Sequence, residues 1–266
     1  MSHDYTARRE GRPCPRAGLR RAGRHQGDGA VSRAAAVVPA AGRGSRIGFV
    51  TPKTFIDLGG APLLARTIAA LAGCRGLALI QPVLPRTHVA AFASRILARN
   101  RWGACRPAVA GGRERQDSVA AGLRALPDDV EYVLIHDGAR PFVTAALAAR
   151  VLAAARRHGA ALAAVPVQDT VKRVSPDLFL DGTVDRRALW LAQTPQAFHV
   201  GLLREAHARA REAGIEGTDD AALVEALGHP VRVVPGSRLN FKITTREDLA
   251  LARALVAASP TLRRRA

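Results

Sequence analysis

The sequence predicts an α/β domain, a mostly parallel β-sheet covered by helices on both faces, with a β-hairpin projecting from it. Three observations carry this. From Ala34 onward, short apolar runs alternate with longer helix-like stretches, the pattern of β-α units. The first run, Ala34-Ala35-Ala36-Val37-Val38, is apolar throughout, as expected of a strand buried on both faces. The residues able to do chemistry cluster just after the apolar runs, where open parallel sheets bind ligands. At 266 residues the chain can bury roughly 75% of its unfolded surface without disulfide staples.

Taken in order, strands are predicted over 35–39, 77–83, 106–109, 132–136, 161–167, 189–193 and 231–234. Helices fit between them over 62–71, 87–97, 118–126, 144–158, 202–213, 219–227 and 246–257. Thr144 and Thr218 can cap a first turn, and Pro62 suits a first helical residue, whose N–H needs no partner. Between 168 and 188, the turn pairs Pro176-Asp177 and Asp181-Gly182 are flanked by Val-Ser and Leu-Phe-Leu, which predicts a hairpin. Its apolar Phe179 and Leu180 would need a partner surface, so the hairpin reads as a dimer arm.

The domain is expected to occupy 34–258. Residues 1–33, rich in Arg, Gly and Pro, read as disordered. A targeting segment and sequence upstream of a true start near Val31 are the other readings of that stretch. Residues 259–266 read as a basic tail. The formal net charge is +18, but much of the excess lies in these two ends rather than on one face. Aromatic residues make up only 4% of the chain, so stacking platforms for single strands are scarce and specific nucleic-acid recognition is not expected. Cys14, Cys74 and Cys105 are far apart and lack neighbouring His partners, which points to neither a disulfide framework nor a zinc site. A reducing cytoplasm is the expected compartment, with no membrane-spanning run.

Four stretches carry the chemistry. The first strand empties into Pro39-Ala40-Ala41-Gly42-Arg43-Gly44-Ser45-Arg46, followed by Pro52-Lys53. Small residues let backbone N–H groups approach an anion, and Arg46 and Lys53 add charge that amides lack. The loop is neither a P-loop nor a dinucleotide fingerprint, since no Gly-Lys-Ser/Thr follows and the third fingerprint glycine is missing. Next, Gly111-Gly112 precede Arg115 and Ser118, where Arg115 can meet phosphate and Ser118 either a base edge or its own helix as a cap. In His136-Asp137-Gly138-Ala139-Arg140-Pro141, Asp137 can ligate Mg²⁺ or orient a hydroxyl, and Arg140 can grip phosphate. An Asp-Arg pair closing a turn is the plainer reading there, and His136 fits a packed core histidine. Finally, Lys242, between Phe241 and Ile243 at a strand-like position, should reach an anion or the surface.

With these motifs in order, the chain resembles the 2-C-methyl-D-erythritol 4-phosphate cytidylyltransferase family over about 34–257. The markers are Pro-Ala-Ala-Gly-x-Gly-x-Arg at 39–46, Pro-Lys at 52–53, Gly-Gly-x-x-Arg-x-x-Ser-Val at 111–119 and His-Asp-x-Ala-Arg-Pro at 136–141. Asp-Thr-x-Lys at 169–172, Gln-Thr-Pro-Gln at 193–196, Thr-Asp at 218–219 and Asn-x-Lys-Ile-Thr at 240–244 complete the set. Departures are Thr54, Gly138 and Asp220, where the family usually has Gln, Ala and commonly Glu. The resemblance implies a Rossmann-like three-layer α/β/α nucleotidyltransferase fold and in-line transfer of CMP from CTP to the polyol phosphate. It implies catalytic roles for Arg46, Lys53 and Lys242, and a CTP cradle from Pro39, Ala40, Ala41, Gly42, Gly44, Gly112, Arg115 and Ser118. Asp137, Arg140, Thr194, Thr218 and Lys242 would face the polyol phosphate, with Thr170 and Arg186 reaching in from a homodimer partner's arm. Mg²⁺ or another divalent cation would be held mainly by CTP, with Asp137 as a candidate ligand. The neighbouring readings are a ribitol 5-phosphate or other polyol-phosphate cytidylyltransferase, and a nucleic-acid-associated protein acting through its basic ends.

Overall fold

A computed structural model of the chain describes residues 33–42, 55–100 and 102–263. Seven strands form one sheet in the order β3-β2-β1-β4-β8-β5-β9. They are β1 (Ala34–Pro39), β2 (Leu79–Leu84), β3 (Val109–Ala110), β4 (Tyr132–Ile135), β5 (Ala160–Pro166), β8 (Trp190–His199) and β9 (Arg232–Pro235). β8 runs antiparallel to both neighbours, and the other pairings are parallel. The mostly parallel α/β architecture is therefore as the sequence predicts.

The sheet is cored on both faces because β1 has no polar alternation. Ala36 and Val38 pack with Leu64, Ile68, Leu147 and Val151 from α1 (Leu63–Ala72) and α4 (Ala145–His158). Ala35 and Val37 face the other way, onto Val119 and Leu123 of α3 (Arg115–Arg124) and Leu203 of α5 (Val200–Glu212). Each such fully buried aliphatic side chain contributes on the order of 2 kcal/mol. Thr144 caps α4, its hydroxyl accepting the Leu147 N–H at 3.1 Å, worth about 1 kcal/mol.

Several boundaries differ from expectation. The stretch over 87–97 contains one short α-helix, α2 (Val89–Arg95), between 3₁₀ turns at Arg86–His88 and Leu97–Arg99. Pro62 precedes α1 with extended backbone instead of opening it. The cap of α6 (Asp220–Ala226) is Asp219, whose carboxylate accepts the Ala222 N–H, and Thr218 lies outside the helix. β8 does not end before Pro195. Its pairing with β5 jumps from Leu162↔Gln196 to Ala163↔Gln193, so Thr194 and Pro195 bulge out where a proline's missing N–H costs no ladder bond.

The predicted hairpin is present as a separate two-stranded sheet, β6 (Val171–Val174) paired antiparallel with β7 (Leu180–Val184). At the C-terminal end, α7 (Arg246–Ala258) is followed by a short helix, α8 (Pro260–Arg263), within the stretch read as a tail. The Leu262 carbonyl accepts a 2.5 Å hydrogen bond from buried Arg66 of α1. Among the described residues, no helix is long and apolar enough to cross a membrane.

Candidate active site

The chain passes from β1 outward through β2 to β3, then returns to β4 on the other side of β1. The strand order thus reverses at β1, and the loops after β1 and β4 lie side by side at the carboxyl ends of these two strands, where open α/β sheets bind ligands in a crevice. The Gly138 N–H donates to Pro39 O at 3.1 Å, and the Ala40 N–H to Val83 O at 2.8 Å. A Cβ on Gly138 would fall 2.9 Å from the Ala40 Cβ, so the glycine sets how closely the two loops meet. Gly111 serves the neighbouring loop alike, since a Cβ there would lie 2.6 Å from Ser118 Oγ and 2.7 Å from the Ala41 Cβ.

Asp137, buried at the end of β4, is the centre of the crevice. Arg115 Nε donates to its Oδ1 at 3.0 Å, Lys242 Nζ to its Oδ2 at 2.8 Å, and Arg140 Nε lies 3.8 Å from Oδ2. Burial by itself would raise the Asp137 pKa, but Arg115, Lys242 and Arg140 outweigh it and hold the carboxyl well below the usual range. Arg115 also donates Nη1 to Asp220 Oδ2 at 2.8 Å. Three permanent cations thus share two carboxylates, leaving a surplus of positive charge. Arg115 Nη2 and Arg140 Nε are buried without a hydrogen-bond partner among the described residues.

Each member is placed by its neighbours in the chain. Lys242 reaches Asp137 because Ile243 is fully buried and its N–H donates to Ala139 O at 3.0 Å. The segment belongs to no strand, contrary to what its apolar flanks suggest. Arg140 is pinned by an Nη1 bond of 2.7 Å to Asn240 O. Asn240, fully buried, donates Nδ2 to Thr194 O at 2.8 Å, and Thr194 Oγ1 accepts the Asp137 N–H at 3.0 Å. The bulge in β8 is what aims Thr194 at Asp137. Gln196 completes the bracket, donating to Asp219 Oδ2 at 2.7 Å and accepting the Ala221 N–H at 3.0 Å. His136 is a core residue as read. Its Nε2 lies 3.1 Å from Arg140 O, so that nitrogen carries the proton, and burial pushes its pKa down to about 4.

The structure brings Arg115, Asp137, Arg140, Thr194 and Lys242 together. It places Ser118 inside α3, buried, with its hydroxyl donating to Glu114 O at 3.1 Å, because the helix begins at Arg115 and not at Ser118. Pro39 ends β1 and Ala40, Ala41 and Gly42 follow it at the crevice, while Gly112 packs so tightly that a Cβ would lie 2.2 Å from the Asp117 Cβ. Thr218 is exposed just before α6; Thr170 and Arg186 are exposed at the base of the hairpin, where Arg186 Nη1 donates to Gln168 O. Gly44, Arg46, Lys53 and Thr54 lie outside the described residues. Sequence reading missed Asn240 and Gln196 as braces and Asp220 as a partner of Arg115. Asp220's apolar setting, Ala221-Ala222-Leu223, was the available signal that it is buried.

Among the described residues, no group of three His, Cys, Asp or Glu could hold a metal ion. Both Asp137 oxygens are occupied by cations. This donor set does not make a protein cage for a divalent ion; it suits one that arrives on a polyanionic substrate.

A parallel sheet with small-residue loops at its switch point, and a cation surplus gathered on one carboxylate, defines an α/β enzyme acting on phosphate-bearing substrates. The sequence profile of 2-C-methyl-D-erythritol 4-phosphate cytidylyltransferase (IspD) matches residues 34–258. The enzyme of that name from Syntrophus aciditrophicus is 47% identical over 221 residues, 83% of this chain and 94% of its own. The one from Geobacillus thermodenitrificans is 46% identical over 225 residues, 84% and 96%. The crystal structure of the Thermus thermophilus cytidylyltransferase is similar with a TM-score of 0.69 at 43% identity, covering 85% of this chain and 99% of that one. The 4-diphosphocytidyl-2C-methyl-D-erythritol synthase of Anaerococcus prevotii gives 0.75 at 31% identity, covering 86% and 100%. The chain belongs to the 2-C-methyl-D-erythritol 4-phosphate cytidylyltransferase family.

Proposed function

We propose that the chain transfers CMP from CTP to 2-C-methyl-D-erythritol 4-phosphate at the Asp137 crevice. A phosphate oxygen of the polyol phosphate attacks the α-phosphorus in line, the bond to the β-phosphate breaks, and pyrophosphate leaves. The observation that carries this reading is the cation surplus around Asp137 at the switch point of a domain whose family is cytidylyltransferase. Such a transfer needs positioning and charge more than a protein nucleophile, and the site offers those.

In this reading Lys242 stabilises the crowded, negatively charged transition state from one side. Arg46 and Lys53, from the loop after β1, act from the other. Pro39, Ala40, Ala41, Gly42, Gly44 and Gly112 border the nucleotide, with Arg115 and Ser118 shaping its pocket. Asp137 holds Lys242 and Arg115 in position, and Arg140 and Thr218 address the polyol phosphate. A divalent cation such as Mg²⁺, carried by the triphosphate, would neutralise part of its charge. The exposed Val174, Leu178, Phe179 and Leu180 support the hairpin as a homodimer arm, bringing Thr170 and Arg186 toward the partner's site. Cytoplasmic work suits a chain whose described cysteines, Cys74 and Cys105, are free.

One cation about 4 Å from a unit negative charge is worth on the order of 4 kcal/mol at an effective dielectric near 20. Lys53→Ala or Arg46→Ala should therefore lower the rate of pyrophosphate release by up to about a thousandfold with the fold intact by circular dichroism. Near-normal turnover in both would remove these residues from the mechanism.

A further inference from the structure

Behind the crevice, the contacts continue into groups that no role in the transfer uses. Asp220, at the start of α6, is almost completely buried, with one oxygen bound to Arg115 and the other 3.0 Å from Nε2 of His207 on α5. An ionised carboxylate only accepts, so the His207 nitrogen donates. Lys242, Asp137, Arg115, Asp220 and His207 thus form an unbroken line of polar contacts of 2.8, 3.0, 2.8 and 3.0 Å. His207 closes the line at the wall of a separate hollow, beside Ala120, Ala210 and Ile215.

The geometry at Arg115 gives this line a purpose. Its guanidinium forks, Nε to Asp137 and Nη1 to Asp220. An arginine facing one carboxylate prefers to place two nitrogens on that carboxylate's two oxygens. If Asp220 did not hold Nη1, Arg115 could turn both nitrogens onto Asp137 and take the oxygen that now binds Lys242. We infer that Asp220 and His207 are positioning residues: by fixing the fork of Arg115 they reserve one Asp137 oxygen for Lys242 and so set where that ammonium stands. His207 supplies the second hydrogen bond that keeps Asp220 turned toward Arg115. The inference rests on the proposed role of Lys242 in transfer, and it assigns this chain's own His207 a part in that site.

The test compares His207→Leu, which loses the donor, with His207→Gln, whose amide can donate from nearly the same place. His207→Leu should lower kcat about tenfold while the KM for CTP moves less than about twofold, and His207→Gln should restore most of the rate. In the nucleotide-free protein, labelling of Lys242 by a small amine-reactive reagent should be several times faster in His207→Leu than in wild type, and near wild type in His207→Gln. Unchanged Lys242 labelling in a folded His207→Leu protein would overturn the inference. A wild-type protein without cytidylyltransferase turnover would overturn the reaction and leave the labelling result to decide the positioning. If His207→Leu does not fold, His207→Asn, which is too short to reach Asp220, gives the same comparison.

Discussion

The Asp137 crevice and the β6–β7 hairpin are built on opposite plans. Around Asp137 the described side chains are held by other elements: Asp137 by α3 and the 240–244 segment, Arg140 by Asn240, Thr194 by the Asp137 backbone. In the hairpin the largest apolar side chains are free, Leu178 at 85% and Phe179 at 74% exposure, and the Asp185–Arg187 pair at its base is exposed. The difference separates what the chain completes alone from what the proposed homodimer would complete. A buried charged cluster must be paired and hydrogen-bonded to stand away from water, whereas an exposed apolar patch marks a surface for a partner.

The largest effect should come from breaking the crevice. Asp137→Ala leaves Arg115, Arg140 and Lys242 without their shared carboxylate, which should cost roughly 3–5 kcal/mol. The thermal midpoint should fall on the order of 10 °C, with activity lost. A melting temperature equal to wild type would show that the cluster is not braced as described.

Next in size is the response to acid. His136 is buried neutral, with its pKa lowered from 6.5 to about 4. Between those values the unfolded chain takes up a proton that the folded chain refuses, so stability is full above about pH 6.5 and declines as pH falls toward 4. The contribution lost is about 3 kcal/mol. Asp137 and Asp220 behave in the other window. Their folded pKa values are depressed, so their stabilisation is complete above about pH 4 and is withdrawn only below it. Denaturant melts at pH 7 and pH 4 should therefore show a steeper loss in wild type than in His136→Gln, which can still donate to the Arg140 carbonyl. Parallel losses in the two proteins would remove His136 as the origin.

The smallest effect on folding should come from the hairpin. Phe179→Asp should change protomer stability by less than about 0.5 kcal/mol. Sedimentation should nevertheless report monomer where the wild type gives dimer. A wild-type chain that sediments as a monomer would instead make the arm an unpartnered surface.

The same contrast explains what could be read from the sequence. Strands, helices, the hairpin, Asp137 and Lys242 were legible because each is signalled locally, by an apolar run, a turn pair or a charge set in an apolar context. The pairing of Arg115 with Asp220 was not, because the two are 105 residues apart and nothing near either marks the other. The upper half of β8 was hidden by Pro195, a strand breaker by local rule that the bulge accommodates. Ser118 was placed at a helix start, but the helix begins three residues earlier, with Asp117 accepting the Glu114 N–H.

The most direct test of the central claim is the rate of pyrophosphate release from CTP and Mg²⁺ with 2-C-methyl-D-erythritol 4-phosphate and ribitol 5-phosphate offered separately, beside Lys242→Met. Turnover with the first substrate alone, falling at least about a hundredfold in the variant, is the predicted result. Preference for ribitol 5-phosphate, or wild-type turnover in Lys242→Met, would contradict it.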